Sequence, residues 1–196
     1  MFRVGVNLGD IPLSDVERIE VYRGNAPAWI GGEGIGGVVH IRTRRTGERS
    51  EQRGSASWGS FRTGQGSWTV SHRRGRMGVL ASADYSRSAN VFRFLDDNGT
   101  EYNPDDDAIA KRMNNDFAAV NLLTKVSYDK EQRYSVSLSN SFYRKAQGVP
   151  NISNNQSRHA RFETLRDFVE GAWEMRGLMG GRLTIRQTLS FSHLVE

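Results

Sequence analysis

The sequence predicts an all-β protein of antiparallel strands, and three observations carry that prediction. Polar and apolar residues alternate with period two over long stretches. Ser135, Ser137, Ser139 and Ser141 interleave with Tyr134, Val136, Leu138 and Phe142; Thr184, Arg186, Thr188, Ser190 and Ser192 interleave with Leu183, Ile185, Leu189 and Phe191. Successive side chains of a strand point to opposite faces, so each stretch makes one polar and one apolar face. The apolar residues are also dispersed. They form 37% of 196 residues, and no uninterrupted run exceeds 117–120, far short of the ~20 residues of a spanning helix. Finally, the connections alternate in length from the second onward: tight at 74–76, long at 87–116, tight at 129–131, long at 144–160 and short at 176–181.

In chain order, 16–22 reads as a short strand broken by Arg23, Gly24 and Asn25. A glycine-dense turn follows at Gly31, Gly32, Gly34, Gly36 and Gly37, and 38–43 is extended again. The segment from Gly32 to Gly37 satisfies the G-x-G-x-x-G pattern of dinucleotide-binding loops, but that chemistry needs a helix N-terminus directly after the glycines. Val38, Val39, Ile41 and Thr43 follow instead and favour a strand, which excludes the cofactor reading. Beyond residue 52 the pattern predicts strands at 54–61, 67–72, 78–86, 117–128, 132–144, 161–174 and 183–192. In the sixth, Asp167 falls on the face of Leu165, Val169 and Trp173.

Those strands are longer than the ~5–6 residues usual in soluble sheets. Tight turns alternating with long loops, and strands with one apolar face, are the pattern of an outer-membrane barrel. The apolar face of 134–142, at ~3.3 Å per residue and a tilt of ~40°, covers roughly 20 Å of height. Trp58, Tyr85, Tyr128, Trp173 and Phe191 fall near strand ends, where interfacial girdles form. Bacterial barrels have an even number of strands, from ~8 upward, so about seven strands are expected to be part of something larger.

The segment Ile11-Pro12-Leu13-Ser14-Asp15-Val16-Glu17-Arg18-Ile19-Glu20-Val21-Tyr22-Arg23-Gly24 is followed by Ala28-Trp29-Ile30-Gly31 and then by 35–44. Together they resemble the last third of the plug domain of TonB-dependent outer-membrane receptors, and Gly59-Ser60-Phe61 resembles that family's motif at the top of the first barrel strand. The chain departs from the family pattern at Asn25, Pro27 and Ile30. The resemblance implies a transmembrane antiparallel barrel, 22-stranded in the family, preceded by the end of a plug. Residues 1–47 would be the C-terminal part of the plug, 48–53 a linker, and 54–196 the first seven or so barrel strands. The implied role is energy-coupled uptake of a scarce nutrient such as a ferric siderophore, haem, cobalamin or a glycan. The implied location is the outer membrane of a Gram-negative cell. The implied partners are the TonB complex (through a segment outside this chain), outer-membrane lipid and a small-molecule or iron-chelate ligand, with no cofactor.

By the same resemblance Arg23 would pair with carboxylates of the barrel wall, a task suited to a planar guanidinium. Trp29 and Ile30 would face incoming ligand. Gly24, Gly31, Gly36 and Gly37 are read as structural turn residues. His159, beside Arg158 and Arg161 in a long connection, is a further candidate for ligand capture. The acidic stretch Asp96, Asp97, Glu101, Asp105, Asp106 and Asp107 lacks calcium-loop spacing, because Phe94 stands where the first aspartate belongs. The histidines His40, His72, His159 and His193 are dispersed and suggest neither a metal site nor a catalytic triad. With no cysteine there is no disulfide framework or thiolate chemistry. The net charge of +5 comes from dispersed arginines without the aromatic interleaving of a nucleic-acid-binding sheet. An enzyme is not expected, and the competing reading is a soluble all-β module that binds a glycan or another ligand.

Overall fold

A computed structural model describes residues 16–24, 37–44, 46, 50–100, 102–130, 133–152 and 154–195. The described residues are all-β, with eleven strands in three antiparallel sheets. Strands β1 (Val16–Arg23) and β2 (Gly37–Thr43) pair as a two-stranded unit. Strands β3 (Glu51–Gly59), β4 (Thr63–Arg74) and β5 (Met77–Ser88) then begin a larger sheet. A small hairpin of β6 (Arg93–Asp96) and β7 (Ala108–Lys111) interrupts it. The sheet continues with β8 (Phe117–Lys130), β9 (Tyr134–Gly148), β10 (Arg161–Gly177) and β11 (Leu183–Val195). Its order is β11-β10-β9-β8-β5-β4-β3, a seven-stranded meander.

All seven strands expected from the alternation are present, each at its expected place. Their ends run further than the apolar pattern, because the polar tips of β9 and β10 continue the ladder up to the pair Gly148↔Arg161. The β6–β7 hairpin was not expected. It lies inside the long connection, where four-residue strands are too short to display a period.

Because strands alternate in direction, the turn at Ser60–Arg62 and the long connections after β5 and β9 share one end of the sheet. The connections after β4, β8 and β10 occupy the other end. Cross-strand partners share a face. One row of partners reads Ser71, Leu80, Lys125, Ser139, Glu170 and Ser190; the next reads His72, Val79, Val126, Leu138, Gly171 and Leu189. The sheet thus has a polar face rich in serine and an apolar face.

Burial is inverted with respect to this chemistry. On the polar face Leu80 is 2% and Leu123 3% exposed, and Ser71, Ser82, Asn121 and Tyr143 are buried beside them. On the apolar face Leu122 is 41%, Leu138 56% and Leu189 80% exposed. An antiparallel sheet in water normally packs its apolar face and solvates the polar one. Here the apolar side is bare across the whole sheet.

Candidate functional site

The polar face is where the N-terminal unit meets the sheet. Thr43 ends β2 opposite Val16, and its carbonyl and that of the following Arg44 are acceptors for the sheet. Lys125 supplies the donors: its Nζ lies 3.2 Å from Thr43 O, 2.5 Å from Thr43 Oγ1 and 2.8 Å from Arg44 O. Two residues along the same face, Ser127 Oγ lies 3.0 Å from Thr46 Oγ1 and donates to Gly78 O at 3.4 Å. A β-carbon at position 78 would stand 2.7 Å from Thr46 Oγ1, so only glycine leaves room for Thr46. Lys125 and Ser127 face Leu80 and Gly78 across the β5–β8 ladder, so two successive rungs of the polar face form the contact.

Within β1–β2, Glu20 collects the polar side chains of one face. Its carboxylate takes the Tyr22 hydroxyl at 2.9 Å, His40 Nδ1 at 3.0 Å and Arg18 at 2.5 Å, with Arg42 at 3.9 Å. Hydrogen bonds from His40 and Tyr22 hold the Glu20 carboxyl below its ordinary pKa, and the same bond to Glu20 raises that of Tyr22. Arg23 ends β1 opposite Gly37, and no carboxylate among the described residues pairs with it. Gly24 has a positive φ of 84°, as a turn glycine should. Gly37, at φ 143°, would place a β-carbon 2.6 Å from Tyr22 O, which fixes it as glycine. Trp29, Ile30, Gly31 and Gly36 lie outside the described residues.

At the loop end the two long connections interlock. Arg112 donates to Asn151 O (2.6 Å), Gln156 Oε1 accepts from the Met113 amide (2.8 Å), and Asn114 Nδ2 donates to Val149 O and Ala160 O (3.3 and 2.7 Å). Asp116 accepts Arg161 through both carboxylate oxygens at 2.8 and 3.0 Å, which lowers its pKa. The turn after β3 is tied to the same end: Phe61 O accepts from Ala89 and Asn90 amides at 3.2 Å, and Phe61 meets Phe92 edge-on. His159 is exposed within this end of the molecule, and among the described residues no other expected site residue is brought to it. In the acidic stretch Asp106 is used internally, taking Thr100 and Asn98, and is shifted down by those bonds. Among the described residues no group of three His, Asp or Glu is placed to hold a metal.

At the opposite end the polar face carries an ion network in which Glu174 holds Arg176 (Nε at 2.5 Å) and Arg186, and Arg176 reaches Asp129 at 3.5 Å. The sequence alternation shows Arg186 only as a polar-face residue and does not single out Lys125. The partners of Lys125 lie 81 and 82 residues away and that of Arg186 one strand away, where spacing carries no signal. Compared with known proteins, the chain matches no family model, and no curated protein matches it by sequence.

Proposed function

We propose that this chain forms the plug-to-barrel portion of a TonB-dependent outer-membrane receptor, taking part in ligand-gated, energy-coupled uptake of a scarce nutrient across a Gram-negative outer membrane. The observation that carries this reading is the inverted sheet: a bare apolar face and a serine-rich face against which the preceding segment is seated. Lipid supplies the cover that water cannot, and the polar face then lines an interior.

Three further features support it. Strands β4, β5, β8, β9 and β10, of 12 to 17 residues, exceed what a bilayer requires. Both long connections emerge at one end. The apolar stretch also steps along the strands, centred on Ala56 in β3, in the row of Tyr85, and on Leu138 in β9, in the row of Val79. A level apolar belt crossing tilted strands has that stagger.

In this reading β1–β2 with its flanking turns is the end of the plug, Arg23 faces carboxylates of the wall, and Trp29, Ile30 and His159 lie toward the ligand side. Cell fractionation tests the proposal, using an antibody against residues 144–160. Recovery with the outer membrane supports it; recovery of this polypeptide in the soluble fraction contradicts it and favours a soluble ligand-binding module.

A further inference from the structure

We infer that Lys125, Ser127 and Gly78 form a latch that pins the chain at residues 43–46, so that any displacement of the β1–β2 unit pivots there. Two observations converge on it. Lys125 gives its ammonium to two backbone carbonyls and a hydroxyl of one short segment, a set of charge-assisted bonds that reads backbone position rather than side-chain identity. Next to it a hydroxyl relay runs from Thr46 through Ser127 to Gly78 O, and the missing β-carbon of Gly78 is what admits Thr46.

The seat is also the most enclosed part of the sheet, since Leu80, directly opposite Lys125, is buried. A segment merely tethering two units would have no need of a matched donor, a relay and a steric notch on two successive rungs of one face. The pinned carbonyls are those of Thr43, the last residue of the β1–β2 ladder, and of Arg44 just after it, so the latch lies where strand pairing stops. The inference concerns two parts of one chain and stands whether or not the bare face meets lipid.

The absence of native cysteine makes the test direct. In the full-length protein, Thr46→Cys with Ser127→Cys is expected to form a disulfide under mild oxidation, because the replaced hydroxyls are 3.0 Å apart. Thr46→Cys with Ser190→Cys, on the same face but three strands further along the sheet, is expected to stay reduced. Adding Lys125→Met to the first pair should slow cross-linking about tenfold, and Gly78→Ala should do the same. Lys125→Arg, which keeps the charge, should restore most of the rate and shows that any loss is not misfolding. Equal cross-linking with and without the Lys125 ammonium, or none in the Thr46–Ser127 pair, overturns the latch.

Discussion

At the scale of single residues, the structure depends on positions where one atom decides. Gly37→Ala would press a β-carbon against Tyr22 O in a backbone region that L-residues avoid. A cost of about 1–3 kcal/mol is expected, confined to β1–β2. Hydrogen exchange should then accelerate at Val38–Ile41 amides while β8 and β9 amides keep their protection. Charge acts at the same scale. Asp116 is held below its ordinary value of 3.8 and Glu20 below 4.5, each chiefly by a hydrogen bond to its carboxylate, from Arg161 and His40 respectively. A depressed carboxyl stabilises fully above its unfolded pKa and loses that contribution as pH falls through its folded one. Lowering the pH from about 5 to 3 should therefore loosen the Asp116–Arg161 tie and the Glu20 hub, while raising it from 5 to 7 should leave the Asp116–Arg161 tie unchanged. Limited proteolysis of the loop end across that range measures the first effect.

At the scale of elements, the two faces of a strand answer differently to the same substitution. Leu189→Arg places a charge on the apolar face of β11 and should cost about 2–4 kcal/mol when the protein is unfolded from phospholipid vesicles. Ser190→Arg, on the polar face opposite Glu170, should be within about 0.5 kcal/mol of the parent. In a water-solvated sheet Leu189→Arg would be harmless, given its exposure. The loop end gives a second contrast: Asn114→Ala frees the carbonyl of Val149, leaves that of Ala160 with the Val149 amide alone, and should hasten cleavage within 149–160 without altering strand protection.

This scale also explains what could be read in advance. Alternation placed the seven long strands, because each carries several repeats of a two-residue period. It placed even β10, where Asp167 interrupts the apolar face; there Asn140 donates to the carboxylate at 2.6 Å from the neighbouring strand. It missed β6 and β7, which are too short to repeat. It could not reveal the seat of Thr46, since that contact joins residues 81 apart and rests on an absent side chain at Gly78. The turn reading of Gly24 and Gly37 comes from the glycine pattern itself, whereas the role expected of Arg23 rests only on the resemblance of residues 11–44 to a plug.

At the scale of the molecule, parity constrains assembly. The seven-stranded sheet begins and ends with strands running in the same direction, β3 and β11. Joining those edges directly would pair them parallel, so antiparallel closure requires an odd number of additional strands. An open sheet cannot remain in lipid, where every edge amide needs a partner. A barrel of 22 strands satisfies that parity, since fifteen more would be added.

The most direct test of the central claim is cysteine-scanning along β9 in the otherwise cysteine-free chain, added to phospholipid vesicles and spin-labelled one site at a time. The account predicts a two-residue period. Val136 and Leu138 should report high oxygen and low aqueous-reagent accessibility, and Ser137 and Ser139 the reverse of that contrast. Free access of the aqueous reagent to Val136 and Leu138 would contradict the claim that lipid covers the apolar face.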